Sequence, residues 1–187
     1  MAMPVAAARR YTVEEVLAFP EDGNRYELIR GELLVSPSPA LRHQVVVQRL
    51  YISLIDYLRP LGLHESAFCV SADISWGDDT LVQPDVFVAT AGELRHAWRD
   101  VKTLLLAVEV LSPRSSRADR VLKRDAYREH GVGTYWIVDH RAGVVEVWRP
   151  GDERPEIVSN TLRWRIQDAA PELTIDFTSL FEGLPED

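Results

Sequence analysis

Leu104–Tyr127 reads LLLAVEVLSPRSSRADRVLKRDAY, and this stretch decides the fold. Its first eight residues form the most continuous apolar run in the chain, as expected of a strand at the centre of a sheet with both faces covered. By two-residue alternation Leu105, Ala107, Glu109 and Leu111 share one face, and Leu104, Leu106, Val108 and Val110 take the other. Glu109 is out of place there, because an unpaired charge inside a strand costs several kcal/mol or shifts its pKa until it neutralises. The residues that follow predict a helix with Ser116 as N-cap and Gly131 as C-terminal stop. Along it Asp119, Lys123, Tyr127 and Gly131 recur every four residues and form one slowly drifting stripe.

On the C-terminal side, TYWIVD and VVEVWRP flank HRAG and predict a hairpin, followed by one or two strands and a short closing segment. On the N-terminal side, Thr12 and Glu15 have capping-box spacing ahead of a short helix. RYELIRGELLVSPSP alternates on either side of Arg30-Gly31, which predicts a second hairpin. Ala40–Gly62 carries the longest helical signal, with Leu41, Val45, Leu50, Leu54, Tyr57 and Leu58 as its apolar stripe. AFCVSADISW and TLVQPDVFVA predict two strands joined at GDD. This order of elements is α/β (α+β), a mixed β-sheet flanked by helices.

With 187 residues, 46% of them hydrophobic and 27% charged, the chain suits one domain with one core, here taken as residues 1–187. No apolar run reaches the ~18 to 20 residues of a membrane span. Residues 1–10 read as a frayed leader rather than a secretory signal, which makes the expected location cytoplasmic. Cys69 is the single cysteine, so disulfide frameworks and thiolate metal clusters are excluded. The net charge of −8 argues against indiscriminate nucleic-acid binding. Locally, however, Arg114, Arg117, Arg120, Lys123, Arg124 and Arg128 outnumber Asp119, Asp125 and Glu129. That run is either a solvated helix face or an edge that tracks phosphates.

A second acid, Asp85, follows Pro84 in QPDVFV, and a proline there favours a strand start, an edge or a bulge. If neighbouring strands bring Asp85 and Glu109 together, the two carboxylates repel unless a proton or a cation lies between them. Mg²⁺ suits that position, since it takes oxygen ligands and binds phosphate oxygens. Lys123 beside the ion would orient water and offset charge building on a phosphate. The competing structural reading of Glu109 is a buried salt bridge with an arginine.

In these residues the chain resembles the Uma2-type (DUF820) family of the PD-(D/E)xK nuclease superfamily. The resemblance runs from RYELIRGELLVSPSP through QPDVFV to AVEVLSPRSSRADRVLKRDAYREHGVGTYWIVD. It implies a restriction-endonuclease-like core with N-terminal and C-terminal hairpin additions, and metal-dependent hydrolysis of DNA phosphodiester bonds by an activated water. Asp85 and Glu109 match the two acids, the Val110 carbonyl would be a further ligand of Mg²⁺ (or Mn²⁺), and Lys123 would be the catalytic lysine. The superfamily's usual lysine position, two residues after the second acid, is Leu111 here. Glu27, His43, Gln83, Asp119 and Tyr127 are the candidate surrounding residues, and Arg114, Arg117 and Arg120 the candidate phosphate contacts. DNA is the implied partner, with no nucleotide cofactor, and a homodimer would supply one site per strand. The rival reading is a non-catalytic interaction or regulatory module that kept the fold; the acidic balance and Leu111 favour it.

Overall fold

Residues 9–112 and 115–186 are described by a computed structural model of the chain. Arg114 lies outside them. The N-terminal segment opens with α1 (Val13–Leu17), where the Thr12 side chain accepts from the Glu15 amide and the Glu15 carboxylate accepts from the Thr12 amide, a complete capping box. Strands β1 (Arg25–Ile29) and β2 (Glu32–Ser36) pair antiparallel across Arg30-Gly31. Both turn residues have positive φ, 50° and 80°, the backbone that a two-residue turn needs to match strand twist.

Helix α2 (Leu41–Leu58) buries His43, Val46, Val47, Leu50, Leu54 and Leu58. The expected stripe is right from Leu50 onward but rotated at its start, where Leu41 is exposed and His43 faces inward. After α2 come β3 (Ala67–Phe68), β4 (Ile74–Ser75), β5 (Leu81–Val82), β6 (Val86–Ala89) and β7 (Leu104–Val110). The two strands expected on either side of GDD are each divided between sheets. Strands β4 and β5 pair with each other and join the N-terminal hairpin in a sheet of order β2-β1-β5-β4. Strands β3 and β6 pair in a second sheet. The chain changes sheets at Gln83–Asp85, where Pro84 can donate no ladder hydrogen bond.

The second sheet is completed by β8 (Tyr135–Asp139), β9 (Val144–Trp148) and β10 (Glu156–Val158), in the order β10-β9-β8-β7-β6-β3. It is mixed: β7 and β8 run parallel, the other neighbours antiparallel. One face packs on α2, on the hairpin β11 (Thr161–Trp164) with β12 (Leu173–Asp176), and on α4 (Phe177–Phe181). The other face packs on α3 (Arg124–Glu129) and on residues of the first sheet, including Ile29, Ile74 and Val82. Trp136 and Trp164 are core residues. Among the described residues no helix is long and apolar enough to cross a membrane.

Strand β7 departs from simple alternation near its start. Val88 pairs with Leu106 but Ala89 pairs with Leu104, so Leu105 is an extra residue. The bulge exchanges the expected faces: Leu104 joins the α3-side core and Leu105 the α2-side core. Gly133 permits it, because a Cβ there would lie 2.8 Å from the Leu105 carbonyl oxygen. Gly133→Ala is therefore expected to destabilise the protein by about 1–3 kcal/mol, measured by urea unfolding.

The helix after β7 does not start with Ser116 as its N-cap. Ala118–Lys123 form a π-helical turn that continues into α3, and no side chain caps it. The Ser116 hydroxyl accepts from Arg120 instead. The wider i→i+5 turns nearly cancel the drift of a four-residue repeat. Asp119, Lys123 and Tyr127 are accordingly all buried on one line, while Gly131 ends it with a φ of 70°.

Candidate active site

The register of the central strands brings the two sequence-predicted acids together. Val86 pairs with Val108, and extending that ladder by one residue sets Asp85 across from Glu109. Opposite residues of an antiparallel pair point to the same side with Cα atoms about 4.5 to 5.5 Å apart. Here that side carries Phe87, Ala107 and Ile137, facing α3. Asp85 is anchored there by the Val110 amide, which donates to its Oδ2 at 2.8 Å. Val110 thus enters the site through its N–H, a contact the sequence reading did not assign.

Lys123 comes in from the π-helical turn. Its ammonium lies 2.7 Å from Glu27 Oε2, 3.0 Å from Glu109 Oε1 and 3.4 Å from Asp119 Oδ1, almost wholly buried. The competing salt-bridge reading of Glu109 is therefore right in kind, but the partner is lysine rather than arginine. Tyr127 donates its hydroxyl to the same Glu109 oxygen at 2.8 Å. Glu27 also accepts the Gln83 amide at 2.8 Å, so one carboxylate ties the N-terminal hairpin to both the sheet-changing turn and Lys123. The Gln83 side chain turns away to Asp73.

His43, from the buried face of α2, contacts Asp85 Oδ2 through Nε2 at 3.1 Å. A carboxylate only accepts, so Nε2 carries the proton. Arg25 was absent from the sequence-based site. From 60 residues away in the chain, it donates from Nη1 and Nη2 to Asp85 Oδ1, both at 3.0 Å. Its only sequence signal is its place two residues before Glu27, on the same side of a strand.

Of the basic run, Arg120 is engaged with Glu146, Asp139 and Ser116 and fastens the helix to β8 and β9. A phosphate contact at Arg120, as the sequence led one to expect, would have to compete with these partners. Arg117 is exposed.

These contacts pull the two acids apart electrostatically. Burial would raise Asp85, but the His43 hydrogen bond, the Arg25 charge and the Val110 amide outweigh it and hold the carboxyl well below the usual aspartate range. For Glu109, burial dominates; Lys123 opposes it, while Asp85, Asp119 and Glu27 add to it, and the group rises well above its ordinary value. Burial likewise raises Asp119, with Lys123 partly offsetting it. Lys123 would be lowered by burial, yet Glu109, Glu27 and Asp119 raise it well above the ordinary lysine value.

Among the described residues, no three His, Cys, Asp or Glu side chains are arranged as they stand to hold a metal. Protein cations fill the gaps between the acids. The donor set nonetheless suits a hard divalent ion. Four carboxyl groups, Glu27, Asp85, Glu109 and Asp119, meet only two cationic side chains, Arg25 and Lys123, so oxygen donors outnumber the protein's own cations. Asp119 Oδ1 is buried without a hydrogen-bond partner, and both Glu109 contacts fall on Oε1. All these groups line one cleft of about 230 Å³.

A mixed sheet carrying paired acids beside a lysine, with helices on its faces, defines a domain of the restriction-endonuclease-like class. The chain belongs to the Uma2 family, described as "Putative restriction endonuclease", whose family model matches residues 13–178. A solved structure described as "a putative nuclease belonging to DUF820", from Anabaena variabilis ATCC 29413, has the same fold. It is 22% identical, with a TM-score of 0.75 over 93% of this chain and 99% of that one. No curated protein matches the chain.

Proposed function

We propose that the chain, as one domain of residues 1–187, is a metal-dependent endodeoxyribonuclease. The observation that carries this reading is the buried acid pair Asp85–Glu109 with Lys123 beside it, in a cleft whose four carboxyl groups outnumber its two cationic side chains. Asp85, Glu109 and the Val110 carbonyl would hold Mg²⁺ or Mn²⁺. Bound there, the ion would supply Lewis acidity toward a water and a phosphate oxygen. Lys123, already at Glu109, orients the attacking water and offsets charge growing on the phosphodiester. Tyr127 keeps its proton, since burial and Glu109 raise its pKa, and so remains a donor that fixes the Glu109 carboxylate. Arg117, exposed on the basic helix, would meet the DNA backbone, and a homodimer would present one site to each strand.

A specific observation favours the rival reading of a non-catalytic module. Lys123 is already held by three carboxylates, and Leu111, at the usual lysine position, is core. Plasmid and single-stranded DNA incubated with Mg²⁺ or Mn²⁺ decide between the two. Nicking by the wild type that is lost in Glu109→Ala and Lys123→Ala supports the nuclease. Equal inertness of all three, together with no thermal shift on adding either metal, leaves the module.

A further inference from the structure

Asp85 has no acceptor direction left for a cation. An ionised carboxylate offers about four lone-pair sites. Arg25 Nη1 and Nη2 take two on Oδ1, and His43 Nε2 and the Val110 amide take two on Oδ2. A metal ligand at Asp85 therefore requires one of these donors to leave. The Val110 amide is backbone of the central strand and cannot retreat without distorting it. The His43 ring is enclosed, with 9% of its side chain exposed. The Arg25 side chain is 23% exposed, lines the cleft, and is carried on a long flexible stem at the very start of β1.

We infer that Arg25 is a displaceable stand-in for the divalent ion. The guanidinium and the metal occupy Asp85 Oδ1 in mutually exclusive fashion. Loading releases Arg25 into the cleft, where its planar fork suits a phosphate oxygen of the substrate. The inference rests on the reading of the cleft as a metal site. It adds that the metal-free protein balances Asp85 internally and that metal binding carries the cost of breaking that balance. A ligand's apparent affinity is reduced by the fraction of protein held in the competing state.

Two measurements test this without recourse to cleavage. Calorimetric titration with Mn²⁺ should show Arg25→Gln binding about tenfold tighter than the wild type, with Arg25→Lys in between. In wild-type protein labelled at arginine Nε with ¹⁵N, the Arg25 signal, assigned by its loss in Arg25→Lys, should move as Mg²⁺ is added. The second readout separates release of the guanidinium from the simple loss of a nearby positive charge, and it does not depend on Arg25→Gln folding. A wild type that binds Mn²⁺ no more weakly than the Arg25 variants overturns this inference alone. So does an Arg25 signal that stays in place at saturating Mg²⁺. A wild type that takes up no metal overturns the nuclease reading and this inference together.

Discussion

Glu109→Gln is expected to lower metal-dependent plasmid cleavage by about 10²–10³-fold or more while leaving the fold intact. Glutamine keeps the shape of the side chain and an oxygen that can accept from Tyr127 and Lys123, the two groups now bonded to Glu109. What it loses is the charge. The loss costs little stability in the metal-free protein, because burial, with the neighbouring acids and against Lys123, disfavours the charged form of Glu109. The pH dependence follows from that raised pKa. Its contribution to stability is fully present below the unfolded glutamate value, near 4.5, and is lost as pH rises through the folded value. Metal-free wild type should therefore lose stability relative to Glu109→Gln across that window, as read by urea unfolding at a series of pH values. Metal binding must expel the same proton, so wild-type affinity for Mn²⁺ should climb with pH by up to about tenfold per unit. A flat difference between the two unfolding profiles would contradict a raised pKa at Glu109.

Lys123→Met is expected to carry the largest stability cost. Removing one partner of a buried ion pair costs about 3–5 kcal/mol, because the remaining charge is left without compensation. Here three carboxylates lose their shared cation at once. For a chain of this size the loss corresponds to roughly a 10 °C fall in Tm. Two conditions should recover part of it: lower pH, which protonates the Asp119 carboxylate left without its cation, and added Mn²⁺, which supplies positive charge in the same cleft. A Lys123→Met protein as stable as wild type at pH 7 would mean that the acids do not depend on this ammonium.

The parts of the site that were legible in the sequence are those in which the local pattern is itself anomalous. An acid within an apolar strand marks Glu109, a proline next to a strand marks Asp85, and the four-residue repeat marks Asp119, Lys123 and Tyr127. Each depends on neighbours within a few residues, where period and propensity govern. The same local rules failed where a bulge intervened, interchanging Leu104 and Leu105, because alternation presumes an unbroken ladder. They failed again at Gln83–Asp85, where one expected strand serves two sheets.

By itself, then, the sequence determined the central strand with its out-of-place glutamate, the hairpins at Arg30-Gly31 and His140–Gly143, the basic helix after the strand, and the pairing of this pattern with a nuclease-like family. Only the tertiary structure decided that Arg25 holds Asp85 across 60 residues, that Glu27 reaches both Lys123 and the Gln83 amide, and that Arg120 is taken up by Glu146 and Asp139. The reason is physical. Backbone periodicity is set by a residue's own φ, ψ and its near neighbours, whereas the partner of a buried charge is set by sheet register and by which distant cation the fold brings within about 3 Å.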